Sequence, residues 1–369
     1  MPDDPLAGIQ IRPGTPADNE QLLALTRATP MAGRIALRID RDPDFFALLR
    51  ARGERHLLYV ATHEDAIVGS LSAAIFRAYI GGKQENVAHI GDLKVLPQWS
   101  GKRLSLRLVA ALEDHLRRDG IDLCFNLVAD GNHKVIAIGE GRHGNPVHQL
   151  LGRFFVNELL PSPFRKRDPA YTIAAATSDD IPAIAAMLDS FARARNFSRT
   201  ATHAEVEQRI QTTASDPFIR ILVARQHGRT VATLTVADTQ HLRRNVPVGL
   251  PLSLRIALPI LRLAFLPIRG LRIPRLGEPL AMLYIRHIGC AEHHKAALKP
   301  LISEARAIAF GRRATFLSIG LHERDPLRAA VAGLPGFTFT SRAMATSLLT
   351  PGRVAGLADG VPFEDFALV

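Results

Sequence analysis

The chain has 369 residues, 47% of them hydrophobic and 22% charged, a balance that excludes a disordered chain or a fibrous repeat and a length that suggests two domains, each able to bury a core. The formal charge of +11 invites a nucleic-acid partner, but seven arginines and no acid between His241 and Gly277 carry +7 of it, so DNA is not expected.

The amino-terminal Met-Pro-Asp-Asp-Pro has no basic region followed by an apolar core, which argues against a secretory signal and for a cytoplasmic protein. Ile9 to Glu20 reads as a short alternating strand, a Thr15 helix cap and Pro16 in a first helical turn. Leu57 to Ser72 reads as strand, polar turn, strand. Ala88 to Val95 is a strand stopped by Pro97, and Leu104, Leu108, Leu112 and Leu116 place an apolar stripe on a helix running to about Asp119. The turn between them leaves backbone N–H groups free at a helix N-terminus, beside Lys102 and Arg103, which suits a phosphate. Leu123 begins a strand that ends in Asp130-Gly131-Asn132, Gly152 to Leu160 alternates as a closing strand, and Pro161 to Pro169 is a Pro-punctuated linker.

The pattern then returns. Tyr171 to Pro182 repeats the strand and cap, Ile184, Met187, Leu188 and Phe191 form a helical stripe, and Ile221 to Val236 repeats the hairpin. Ile11 and Ile173 are 162 apart (173 − 11) and Val60 and Val223 are 163 apart (223 − 60), which marks a duplicated domain. Matching Val95 to Ile288 raises the offset to 193 (288 − 95), so the second half carries about 30 extra residues, coincident with the arginine-rich segment. Ser341 to Leu349 is the second closing strand. Cys124 and Cys290 sit in strand-like runs without a Cys-x-x-Cys, and His293-His294 lacks a third ligand, so no metal site is expected. The division is 1–160, a linker at 161–170, and 171–369 with an insertion at about 241–277.

Val95-Leu96-Pro97-Gln98-Trp99-Ser100-Gly101-Lys102-Arg103 resembles the Val-x-Pro strand ending and the Q/R-x-x-G-x-G/A pyrophosphate signature of the GNAT superfamily of acyl-CoA N-acyltransferases. The element order of each half resembles the GNAT order. The resemblance implies an α/β fold of two tandem GNAT-like domains, each a twisted mixed sheet flanked by helices. Arg103 departs from the signature, which has a small residue there. The family's Tyr, often a general acid, is missing too, since Gly139 stands seven residues after Asn132 and Ala332 holds the place in the second half. The second-half loop, Ile288 to Lys295, keeps Gly289, lacks the later Gly and places Glu292 near a phosphate position, so the acyl-CoA site is expected in the first half.

The resemblance then implies that acetyl-CoA or another acyl-CoA is held by Leu93, Val95, Gln98, Ser100, Gly101, Lys102, Arg103, Leu104 and Asn132. Where the family often places a Glu base, six residues before the Val of Val-x-Pro, this chain has His89, whose imidazole titrates in the right range unless it is simply a hydrogen-bonded core histidine. Glu85 is the substitute. Asp92, three residues on, is expected on the opposite strand face. The function these expectations define is acyl-CoA-dependent N-acyl transfer, in its simplest form acetyl transfer to a small-molecule or peptide amine. Alternatives are a Fem-like transferase using aminoacyl-tRNA and a non-catalytic acyl-CoA-binding protein.

The last stretch, Val246 to Leu271, is apolar but interrupted by Pro251, Pro259 and Pro267 and by arginines seven apart at 255, 262 and 269, so it is not expected to span a membrane. Short amphipathic helices are expected, their apolar face covering the acceptor cleft or meeting a partner or a second copy, with plain packing on the second domain and an anionic membrane surface as the alternatives.

Overall fold

Both halves begin on the same device. In the computed structural model, a strand β1 (Gln10–Pro13) leads through a capped turn into helix α1 (Asn19–Ala28), and Asp18 holds the turn by accepting from the Thr15 N–H at 2.7 Å and from Arg12. One repeat later Asp180 accepts from the Thr177 N–H at 2.8 Å and from Arg225. Residues 6–31, 33, 35–141, 148–199, 202–213, 216, 218–264 and 272–369 are described.

The first half continues with β2 (Ala36–Asp40), α2 (Phe45–Arg52), β3 (Arg55–His63), β4 (Ala66–Ile80), β5 (Lys83–Val95), α3 (Leu104–Arg118), β6 (Leu123–Ala129), α4 (His133–Gly139) and β7 (Gln149–Leu159). After a linker come β8 (Thr172–Ala175), α5 (Ile181–Arg193), β9 (Ser198–Arg199), α6 (His203–Thr213), β10 (Ile219–Gln226), β11 (Arg229–Ala237), β12 (Arg244–Gly249), α7 (Leu252–Ala264), β13 (Met282–Cys290), α8 (Leu298–Gly311), β14 (Phe316–His322), α9 (Arg328–Val331) and β15 (Gly336–Ser347). The four leucines of the α3 stripe are all at most 1% exposed and pack on Leu71, Ala73 and Ala88 of the sheet, each burial contributing about 1.5–3 kcal/mol. Helix α8 does the same for the second half with Leu298, Leu301 and Ile302.

The mixed α/β class expected from sequence is found, but the two sheets are joined. Among the described residues one 13-stranded sheet runs β1-β3-β4-β5-β6-β15-β7-β14-β13-β11-β10-β8, with β9 attached to β4. The closing strands are exchanged: β15 of the second half pairs with β6 (Ser347 opposite Leu123, Ser341 opposite Ala129), and β7 of the first half pairs with β14 (Leu159 opposite Leu317). β7 and β15 then pair antiparallel with each other at the centre of the molecule. Both closing segments alternate in the same way, and an alternation says which face is buried without saying which edge it joins.

A second, two-stranded sheet also ties the halves together, β2 pairing with β12 at the start of the insertion. The insertion then turns into α7, and residues 265–271 of the expected amphipathic segment lie outside the described residues. Helix α7 does not close the cavity described below: none of its residues lines it, and its apolar face is turned to solvent. The lid expected over the acceptor cleft is therefore not formed by α7, because the inward-facing side of the helix is the side of Leu254, Ala257 and Leu258.

Candidate active site

Strand β5 carries the distortion that makes the site. Its ladder to β4 pairs Gly91 with Ser72 and Lys94 with Ser70, so Asp92 and Leu93 together stand opposite Leu71 in a β-bulge, and Asp92 takes a left-handed φ of 57°. The bulge corrects the expected facing: Asp92 does not point away from His89, and both line one cavity. On its other edge β5 pairs in parallel with β6 only from Val87 to His89, after which the strands diverge. The second half repeats the bulge at His287 (φ 45°), with Gly289 and Arg286 paired to Thr233 and Thr235. This register makes Cys290 the counterpart of Val95, an offset of 195 (290 − 95), two residues beyond the Ile288 match made from sequence.

The cavity that opens at the divergence has a volume of about 340 Å³ and is walled by both halves. Leu93 and Asn132 line it. Asn132 Oδ1 accepts from the Val135 N–H at 3.4 Å at the start of α4. Val95 packs into the α3 core, and Leu104 is buried in it, so Leu104 can offer a ligand only its backbone. Gln98, Ser100, Gly101, Lys102 and Arg103 are exposed on the turn before α3. Gly101 needs its glycine, with φ at 83° and open space where a Cβ would stand, and Arg103 is left-handed at 64° as the N-cap of α3. The Lys102 ammonium sits 4.6 Å above the Trp99 ring. Arg103 thus lies at the surface and does not obstruct the turn.

His89 is buried, and both of its ring nitrogens are engaged. Arg52 Nη1 lies 3.2 Å from Nδ1, and Glu364 Oε2 lies 3.0 Å from Nε2. A guanidinium only donates, so Nδ1 is the acceptor and Nε2 carries the proton toward Glu364. Burial favours the neutral form of Glu364, yet His89 and the Arg52 charge outweigh it and hold the carboxyl below its ordinary value. Burial also brings Arg52 down to about 10, and its Nη2 donates to the Leu368 carbonyl. The segment that brings Glu364 here passes Phe366 over Gly320, where a Cβ would meet the ring at 1.9 Å. Glu85 lies elsewhere: it pairs with Arg353 and is not part of the cavity wall.

Asp92 forms a buried ion pair with Arg41 and accepts from Ser72 Oγ at 2.8 Å. Burial works to raise its pKa, and Arg41 overrides that to hold it well below the carboxylate range. Burial lowers Lys94, whose Nζ reaches the Thr29 carbonyl at 3.5 Å. Local sequence reading missed the opposite wall. Glu158 on β7, Ser318 on β14, Tyr284 on β13, and Arg243 and Asn245 of the insertion all line the cavity. Burial pushes Glu158 up to about 7 and raises Tyr284, while on α4's side it brings His148 down to about 4. Strand exchange puts Glu158 there, and no motif around it announces that.

Residues 23–139 match the model of the acetyltransferase (GNAT) family. The match spans 117 of the 369 residues (139 − 23 + 1), from within α1 to the end of α4, all in the first half. Among solved structures it is similar to Saccharomyces cerevisiae N-myristoyltransferase with bound myristoyl-CoA, at 13% identity and a TM-score of 0.60 over 94% of this chain and 86% of that one. It is also similar to a GCN5-related glucosamine N-acetyltransferase region in a fungal multi-domain β-N-acetylglucosaminidase, at 13% identity and a TM-score of 0.59 over 91% of this chain and 38% of that one. No curated protein matches the chain. Among the described residues no helix is long and apolar enough to cross a membrane.

Proposed function

We propose that the protein transfers an acyl group from acetyl-CoA or a longer acyl-CoA to an amine, with the donor in the first half. One observation carries this reading: the bulge at Asp92 and the divergence of β5 from β6 open a cavity on the same strand that runs into the Gly101 turn. A pyrophosphate at that turn would meet the free N–H groups at the start of α3, with Lys102 and Arg103 as countercharges. The pantetheine would run along the unpaired edge of β5 past Leu93 and Val95, with Asn132 on the far side, and bring the thioester to the cavity. There the backbone of the bulge can meet the oxyanion of the tetrahedral intermediate. His89, with Nδ1 accepting from Arg52, can act on a substrate only by giving up that contact. In this arrangement it holds the 364–368 segment against β5. Glu85 could serve only if an acceptor reached past Arg353.

The test is calorimetric titration with acetyl-CoA and myristoyl-CoA, followed by thiol release in the presence of amines. Binding of one donor and amine-dependent thiol release are expected. Absence of binding by any acyl-CoA from C2 to C14 would remove the reading.

A further inference from the structure

We propose that Glu158, Ser318 and Arg243 form the acceptor subsite, and that it takes a zwitterionic amine of the α-amino-acid class, Glu158 receiving the amine as general base and Arg243 the carboxylate. The proposal rests on the acyl-transfer reading above. Glu158 is buried and has no ion pair among the described residues; Ser318 Oγ donates to its Oε1 at 3.1 Å, while Oε2 is buried without a partner. Arg243 gives Nη2 to Asn245 Oδ1 at 3.0 Å, and its Nε and Nη1 are buried without partners. A buried polar atom left unpaired costs about 1–3 kcal/mol, more when charged, so an unpaired carboxylate oxygen and an unpaired guanidinium edge in one cavity describe a ligand with both complementary charges.

The other charged side chains at the cavity each have a partner, although Arg41 Nε, Arg52 Nε and Glu113 Oε1 are also buried without one. Arg41 pairs with Asp92, Arg52 is bound to Leu368 and His89, Lys94 to Thr29, and Glu113 to Arg117.

In the step this allows, Glu158 takes one proton from the substrate ammonium. The freed lone pair attacks the thioester carbonyl, the N–C bond forms and the C–S bond breaks. The second nitrogen proton goes to the departing thiolate, and Glu158 returns its proton to solvent. Burial brings Glu158 to about 7, with Arg243 acting to lower it and Tyr284 also facing it. A base in this range gains activity as pH rises through about 7.

The experiment compares α-amino acids with their decarboxylated amines as acceptors, using whichever acyl-CoA binds. In the wild type the amino acids should be preferred by about 100-fold or more in kcat/KM. Arg243→Met should bring the two acceptor classes within a few fold and move the pH limb upward, because the charge that lowers Glu158 is gone. Glu158→Gln should lower kcat by about 100-fold or more and abolish the limb near pH 7, with acyl-CoA affinity unchanged as the check on folding. Ser318→Ala, a smaller disturbance, should shift the limb without abolishing activity. If acyl-CoA binds but amines without a carboxylate are used as well as amino acids, or if no amino acid is used, the subsite assignment is overturned while the donor site stands. If no acyl-CoA binds, the underlying reading fails first.

An independent observation carries a second inference. Leu252, Ile256, Ile260 and Leu263 recur at helical spacing on α7 and are 70%, 58%, 63% and 75% exposed. Beside them Arg255 on the helix and Arg272 beyond it are exposed and have no ion pair among the described residues. We infer that this face docks on an anionic lipid surface, since an apolar stripe beside exposed arginines is complementary to one. Two copies meeting face to face would bring the same arginines, Arg255 and Arg272, toward one another. Vesicle flotation should show binding to phosphatidylcholine containing about a third phosphatidylglycerol, little binding to phosphatidylcholine alone, and loss in high salt. The double variant Ile256→Asp, Ile260→Asp should lose binding with acyl-CoA affinity unchanged. Equal or absent binding to both vesicles, or a dimer that the same variant dissolves, would overturn the inference.

Discussion

The bulge on β5 and its counterpart on β13 are the same distortion with opposite outcomes. At Asp92 the strand opens on a cavity of about 340 Å³. At His287 the neighbouring void is about 10 Å³, because α5 lies against the strand, with Met187 Cβ 3.0 Å from where a Gly289 Cβ would stand. The counterpart of Gly289 is Lys94, a buried charged residue at the cavity wall. His287 is held well below its ordinary pKa by burial and by the charges of Arg209, Arg286 and Arg199. A duplicated fold thus supplies two strand distortions, and helix packing decides which becomes a site.

The comparison is most sharply broken at the two loops. Gly101→Asp adds bulk, a residue poorly suited to φ 83° and a negative charge at the phosphate position, and should weaken acyl-CoA binding by about 100-fold or more, whereas Glu292→Ala in the second half should leave it within twofold when both are titrated in parallel. Next in size is Asp92→Ala, which leaves Arg41 charged and buried; a loss of about 3–5 kcal/mol in chemical unfolding is expected, together with loss of turnover.

Removing one large side chain from each core gives comparable but functionally different losses. Leu108→Ala should cost about 2–5 kcal/mol, and Met187→Ala a similar amount without creating a second acyl-CoA site, which the binding stoichiometry reports.

Titration effects are smaller. Glu158 has a folded pKa raised to about 7, so the folded state holds the proton longer and stability falls as pH rises from the ordinary carboxyl range through about 7, by up to about 3 kcal/mol. Glu158→Gln should remove that decline from the difference between the two unfolding curves. Asp18 runs the other way: the Arg12 hydrogen bond holds it at about 2, so its contribution is complete above its unfolded pKa and lost as pH falls toward 2. Asp18→Asn and Asp180→Asn should each cost about 1 kcal/mol near neutrality and flatten that acid limb, testing whether the two caps remain equivalent.

Much of this was legible in the sequence because it depends on neighbours in the chain. The leucine spacing of α3, the paired Thr-Asp caps, the hairpins and the glycine turn at Gly101 are local patterns of period, capping and backbone freedom, and the repeat offset follows from comparing them. Tertiary structure alone decided the rest. The bulge that turns Asp92 onto the side of His89 is a mismatch of two strands, and alternation along one strand cannot reveal it. The exchange of β7 and β15 depends on which edge is free once β5 and β6 diverge. That exchange carries Glu158 from the first half to a wall completed by Ser318, Tyr284 and Arg243 of the second, and its raised pKa follows from burial among residues 85 to 160 positions away.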